Sequence, residues 1–398
     1  MNKITLEEAL DRIRQNTPLL PAVEMQLEDI NGETAAEDLS APQDQPPFPR
    51  SPLDGYAFRS ADSADASPEN PAVLRVIGKV CAGDEEHYRV EKGEAVRIMT
   101  GARIPEGADA VVMQEKTDLG KSKVRIFQEL KPFQNYCFQG EDYRAGTVLV
   151  RKGTTLAHSP VTLLASAGIS GALVYRKPFI AVLTTGSELI SPGAKLGNGK
   201  IYNANLYFMR ARMRELGIPF TVKQVPDQRE TVKKEILAAL EYADAVITTG
   251  GVSVGEKDIL NEVLPALHAD ILFDGIAMKP GSPAKFSLIS GKPVLSLSGN
   301  PFAAAATFEI LGRAMIGAGM GTDSFECTRE SAVLVNAFGK RSPHRRFACG
   351  LLENGRVSIP DCQSSGQVVT LISSNCLIDI PAGCDRIPEG AAVTVWKV

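Results

Sequence analysis

Hydrophobic and polar positions along this chain switch between helical and strand periods. Ile4, Leu6, Ala9, Leu10 and Ile13 recur at helical spacing. Thr5, with Glu8 three residues later, forms a capping-box signature, so residues 3–16 read as an amphipathic helix. Prolines 42, 46, 47, 49 and 52 forbid regular structure over 41–52 and fix an extended path suited to displaying a side chain. Residues 71–130 change to strand-like runs at 73–80, 95–102, 108–115 and 123–127, separated by Gly, Pro and Asp turns, which predicts a small β domain. Residues 140–156 read as a strand with turns, and 159–169 as a short helix closed by Gly168.

From Pro178 strands and helices alternate. Residues 178–186 form a continuous apolar run, as expected of a strand buried on both faces. Further strands are predicted at 218–227, 243–251, 269–278 and 291–301, with helices at 201–216, 228–240, 259–267 and 302–320. Asp227, with Glu230 three residues on, carries an N-cap signature for the second of these helices. The alanine-rich stretch 302–320 contains Glu309 and Arg313 and reads as a buried helix. This order implies an open, mostly parallel sheet with helices on both faces. Beyond residue 325, strand runs at 331–338, 345–352, 355–360, 376–381 and 391–398 predict a small all-β domain or barrel. The expected fold class is multidomain α/β plus β.

The 398 residues suggest two to four domains. A net charge of −4 without clustered Lys and Arg excludes a broad nucleic-acid footprint. No run of 18 apolar residues exists, and the first sixteen residues lack the apolar core of a signal peptide, so a cytoplasmic protein without membrane contact is expected. The seven cysteines contain no CxxC pair, and the odd count favours reduced thiols. The four histidines fall in no metal motif.

The chemistry gathers at the predicted strand ends, where open α/β sheets bind ligands. The first ends in Thr185, Gly186, Ser187 and Glu188; the second in Asp227; the third runs through Gly250, Gly251 and Ser253 to Asp258. The fourth leads into Lys279, Pro280, Gly281 and Ser282, and the fifth into Ser298, Gly299, Asn300 and Pro301. Glycines let the backbone approach a ligand, and amides, hydroxyls and a helix N-terminus together make an anion cradle. Lys279 adds a point charge. Carboxylates at Glu188, Asp227 and Asp258 beside a phosphate make sense if Mg²⁺ joins the two. For Asp227 a helix-capping role and a metal role both stand. No GxxxxGK[ST] and no GxGxxG opening the first helix occur, which excludes a P-loop ATPase and an ordinary dinucleotide dehydrogenase. Outside this unit, residues 51–57 put Asp54 in a turn, and residues 97–115 carry Thr100 before Gly101; read alone, both are turn chemistry.

Together, SPLDGYA, RIMTGARIP, GADAVV, GED, TTGSEL, YNAN, TTGGVSVGEKD, MKPG and LSGNP resemble the molybdopterin molybdotransferases of the MoeA type, related to the gephyrin E domain, over essentially the whole chain. The resemblance implies an elongated homodimer with four domains per subunit: 1–43 with 139–177, 44–138, 178–322 and 323–398. It implies insertion of molybdate into adenylylated molybdopterin with Mg²⁺, releasing AMP and forming molybdenum cofactor. In that reading Asp54 and Thr100 reach across the dimer, and Glu188 and Asp258 hold Mg²⁺. Gly250, Gly251, Ser253 and the 298–301 loop cradle the phosphates, and Lys279 and Ser365 lie near dithiolene and molybdate. Relatives often carry cations where this chain has Ser282 and near Cys137 and Cys349, and Arg345 and Arg346 are the residues expected to compensate for them near the oxyanion. A relative using another oxyanion such as tungstate, and a non-catalytic cofactor-delivery or scaffold protein, are the alternatives. Transient contact with other cofactor-biosynthesis proteins is also implied.

Overall fold

The computed structural model describes residues 3–252, 258–339, 341, 343–360 and 366–398. Its centre is a six-stranded sheet built from β1 (Ile180–Thr185), β2 (Phe220–Val225), β3 (Ala245–Thr249), β4 (Asp270–Asp274), β5 (Lys285–Ile289) and β6 (Lys292–Leu297). The order is β2-β1-β3-β6-β5-β4. The pairs β1–β2, β1–β3 and β3–β6 are parallel, and β5 runs antiparallel to both β6 and β4. All of β1 is buried because alternate residues serve two cores. Ile180 and Val182 pack with Met209 and Met213 of α1 (Ala204–Glu215). Ala181 and Leu183 pack with Val232 and Ile236 of α2 (Arg229–Tyr242) and with α3 (Leu260–Ala266).

The predicted run 269–278 needs correction. It stops at Asp274; Met278 and Lys279 leave the sheet and pair in parallel with Arg345 and Arg346 of the C-terminal region. Strand β5 was not foreseen, so the run ending in Ser298 is the sixth strand rather than the fifth. The alanine-rich stretch is helical in three parts: α4 (Pro301–Thr307), a π turn (Phe308–Gly312) and α5 (Arg313–Gly319). Glu309 can sit in this buried helix because Arg212 grips both carboxylate oxygens at 2.6 and 2.9 Å and Arg313 adds a third contact at 3.1 Å.

The capping box at Thr5 and Glu8 is present, and the helix Leu6–Asn16 buries Leu6, Ala9, Leu10 and Ile13. These side chains join the core that also contains Ile180 and Phe302, so this helix packs with the α/β unit rather than with the rest of residues 1–43. Strand Gly171–Tyr175 pairs with Ala22–Gln26 and Thr34–Ala35, and Leu39–Ser40 pairs with Val148–Val150. The chain between 44 and 138 therefore leaves from and returns to one body. It carries a five-stranded sheet in the order Ala110–Met113, Gly55–Phe58, Glu94–Ile98, Ala72–Val80, Lys123–Ile126. The four predicted strands are there; Gly55–Phe58, read only as a turn from sequence, is a fully buried inner strand.

The C-terminal strands close into a barrel. Arg345–Glu353 pairs with Arg356–Ser358, which leads through Arg329–Leu334, Ala392–Lys397 and Cys376–Ile380 back to Arg345–Glu353. All five strand predictions hold. Among the described residues no helix is long and apolar enough to cross a membrane.

Candidate active site

A cavity of about 920 Å³ opens at the carboxyl ends of β1, β2, β3 and β6, bounded on its far side by the barrel. Gly250 stands after β3 at φ +91°, where an added Cβ would lie 2.3 Å from the Thr185 carbonyl oxygen. Gly281 stands at φ +87°, with the same atom 2.0 Å from Thr307 Cγ2. At these two places only glycine permits both the backbone turn and the close approach. The Gly250 amide is engaged with the Leu297 carbonyl at 3.1 Å, so this residue shapes the wall. Helix α4 opens into the cavity with Pro301 at its first turn.

Two asparagines hold the loops in place. Asn203 caps α1 through the Leu206 amide at 3.1 Å and donates to Thr184 Oγ1 and Gln224 Oε1 at 2.8 and 3.0 Å. Asn205 donates to the Gly299 carbonyl at 2.9 Å, and its buried Oδ1 has no partner among the described residues. Both line the cavity.

Asp227 does not cap α2. The N-cap is Gln228, without a side-chain cap bond, because the chain turns one residue later than the capping-box pattern predicts. The Asp227 Oδ1 is buried with no hydrogen-bond partner among the described residues, and the residue lines the cavity beside Glu188. Burial, and then the negative charge of Glu188, push the Asp227 carboxyl above the usual carboxylate range. Two carboxylates thus share one end of the cavity. Among the described residues no group of three or more His, Cys, Asp or Glu is placed to hold a metal ion.

Thr185, Gly186, Glu188, Asp227, Gly250 and Gly251 line the cavity together. So do Lys279, Pro280, Gly281 and Ser282, and Ser298, Gly299, Asn300 and Pro301. Ser187 does not; its carbonyl accepts from Lys200 Nζ at 2.7 Å. Asp258, expected as a metal ligand, is absent from the lining. Its carboxylate lies 3.2 Å from the buried Lys285 ammonium, which also bonds Asn261 Oδ1 at 2.7 Å and Asp274 Oδ1 at 2.5 Å. Asp54 and Thr100 lie elsewhere, on the β domain, where Asp54 Oδ1 accepts from the Thr100 amide and hydroxyl, each at 2.8 Å. Those two bonds hold the Asp54 carboxyl below the usual range. Ser253 and Ser365 lie outside the described residues.

The sequence reading did not place Asn203, Asn205 or Phe338 in the site, and it offered Arg346 only jointly with Arg345, as a substitute for missing cations. The two asparagines could have been found from their position at a helix start just beyond a strand end. Arg346 reaches the cavity only through the pairing of its strand with Lys279, a contact between residues far apart in sequence. At two positions where the resemblance led to an expectation of cations, Ser282 Oγ accepts from Lys3 Nζ at 2.7 Å, while Cys349 is buried in an apolar cluster and its thiol is pushed up by burial.

An open α/β sheet with glycine-walled strand ends, a carboxylate pair and a barrel closing the cavity has the form of a small-molecule site at the sheet's carboxyl edge. The comparisons with known proteins agree. Residues 4–168 match the MoeA N-terminal region (domain I and II), 181–318 a probable molybdopterin binding domain, and 331–398 the MoeA C-terminal region (domain IV). A molybdopterin molybdenumtransferase of Staphylococcus epidermidis is 36% identical over 397 residues, 98% of this chain and 95% of that protein. One from Staphylococcus aureus strain COL is 36% identical over 399 residues, with 99% and 95% covered. A molybdopterin biosynthesis MoeA protein from Pyrococcus horikoshii superposes with a TM-score of 0.86 at 32% identity, covering 100% of this chain and 99% of that one. The chain belongs to the MoeA family of molybdopterin molybdenumtransferases, enzymes of molybdenum cofactor biosynthesis.

Proposed function

We propose that this protein inserts molybdenum from molybdate into adenylylated molybdopterin, releasing AMP and forming molybdenum cofactor in a Mg²⁺-dependent reaction. The observation that carries the reading is the buried Oδ1 of Asp227, without a partner among the described residues, beside Glu188 in a cavity walled by glycine-rich strand ends. A buried acceptor without a partner costs about 1–3 kcal/mol, a cost relieved by a bound cation or donor. An all-oxygen pair that ligand phosphates can complete suits Mg²⁺, held by Glu188 and Asp227. Bound there, the ion would neutralise phosphate charge. Asp258, committed to Lys285, would not share it.

The protein's own groups position and neutralise. Asn205 fixes the Gly299 carbonyl and so the course of the 298–301 loop against the phosphates. Lys279 faces the ligand's negative charge. Gly250 and Gly281 let the walls come close enough to exclude water. Such placement is the main source of rate in phosphoryl chemistry. The enzyme acts as a homodimer in this reading. Asp54, partly exposed and kept ionised by Thr100, would be presented to the cavity of a second copy.

A single-turnover assay tests the proposal. Purified protein is mixed with adenylylated molybdopterin and Mg²⁺, with and without molybdate, while AMP and pterin-bound molybdenum are followed. Molybdate-dependent AMP release with metal in the pterin is expected. Tight binding without molybdate-dependent release overturns it, and tungstate in the same assay reports oxyanion preference.

A further inference from the structure

Arg345 and Arg346 are consecutive on one barrel strand, so their side chains leave it on opposite faces. Their surroundings differ accordingly. Arg345 makes a paired contact with the Asp379 carboxylate through Nε at 2.8 Å and Nη2 at 2.6 Å, and also bonds Glu7. It stacks on Phe347, with 5.4 Å to the ring centre. It is fully used in holding the barrel to the helix Leu6–Asn16. Arg346 lines the 920 Å³ cavity, and its buried Nε has no hydrogen-bond partner among the described residues. The backbone pairing of Lys279 with Arg346 brings two cations to the barrel side of the cavity. Neither makes an ion pair among the described residues, whereas Arg176, Arg212, Arg313 and Arg345 each meet a carboxylate.

A buried guanidinium N–H without an acceptor is costly, and nothing in the fold gains from it. A planar fork of donors beside a lysine is suited to a tetrahedral oxyanion. We propose that Arg346 is a specificity-determining residue of this site: the barrel supplies its guanidinium, with Lys279, to bind a tetrahedral oxyanion in the cavity. The chemistry fits either a free oxyanion such as molybdate or the phosphate of a nucleotide-bearing ligand. The inference rests on the proposed function for the ligand class, but its test reads binding alone and needs no turnover.

The full-length protein is titrated calorimetrically with molybdate, tungstate, inorganic phosphate and AMP, as wild type, Arg346→Gln and Arg346→Lys. Thermal melts are recorded with and without each anion. Losing a charged hydrogen-bond donor to an anion should weaken binding about ten- to hundred-fold in Arg346→Gln, with partial recovery in Arg346→Lys. The ligand-free melting temperature of Arg346→Gln should equal or exceed that of the wild type, because an unpaired buried donor has been removed; a residue needed only for the fold would lower it. Loss confined to molybdate and tungstate assigns the site to the free oxyanion, and loss confined to AMP and phosphate assigns it to the ligand's phosphate. Either supports the proposal. Unchanged binding of every anion in both variants overturns it, as does a wild type that binds none of them. Failure of AMP release in the single-turnover assay, with these affinities intact, would refute the function and leave Arg346's role standing.

Discussion

Replacing Asp227 by alanine separates the two roles that its sequence position allows. As an N-cap, Asp227 would support α2, and its loss would cost about 0.5–2 kcal/mol. In the structure the cap is Gln228, and Asp227 instead holds a buried, unbonded oxygen near Glu188. Removing it deletes a group whose unmet desolvation costs about 1–3 kcal/mol and relieves a like-charge contact. For a unit of roughly 150 residues, 1 kcal/mol moves the melting temperature by about 2–4 °C. Asp227→Ala should therefore melt at least 2 °C higher than the wild type in the absence of ligand. In saturating Mg²⁺ with AMP, at about 100 times the dissociation constant, the wild type should gain roughly 2.7 kcal/mol, and the variant should gain little of it. The pH dependence has a fixed sign. The folded pKa of Asp227 is raised above its ordinary 3.8, so the folded state holds the extra proton in that window. This group's contribution to stability therefore falls as pH rises from about 3.8 through the raised value and is constant above it. Asp227→Ala should flatten that slope. Calorimetric melts across the acidic range, with and without Mg²⁺ and AMP, provide the assay. A ligand-free variant that melts lower than wild type, with its Mg²⁺ response intact, refutes the reasoning.

Lys285→Ala strands the buried Asp258, whose side chain is 4% exposed, and should cost about 3–5 kcal/mol in denaturant unfolding. Adding Asp258→Ala should return part of that loss. Gly281→Ala places a methyl 2.0 Å from Thr307 Cγ2 at a φ of +87°, so it should lose at least about 1–2 kcal/mol of stability and most anion binding in the same titrations. Asp54→Asn, on the β domain and only partly buried, should leave the melting temperature unchanged and abolish turnover. Mixing it with Glu188→Gln under conditions of subunit exchange should restore about one site in four if the site is shared across a two-fold dimer. No recovery on mixing would place Asp54's action within its own chain.

Local chemistry was legible where it is local. The capping box of Thr5 and Glu8 is realised, and the five barrel strands and the continuous apolar run of β1 form as their periods predict. The strand ends that the glycine pattern marked do meet in one cavity. What sequence could not show depends on long-range pairing. Gly55–Phe58 looks like a turn after a proline-rich connector, yet becomes a strand because Glu94–Ile98 and Ala110–Met113 flank it. The ammonium that neutralises Asp258 lies 27 positions on, in a strand the pattern did not reveal. Of two adjacent arginines, only the strand's alternation and the position of Asp379 decide which is structural and which faces the ligand.

The central claim is that Glu188 and Asp227 bind a divalent ion against the phosphate of the ligand in this cavity. Phosphorus NMR of bound AMP with Mn²⁺ in place of Mg²⁺ measures that contact directly. The account predicts strong, distance-dependent broadening of the phosphorus resonance in the wild type, lost when both Glu188→Gln and Asp227→Ala are present while AMP remains bound. Equal broadening in the double variant would contradict it.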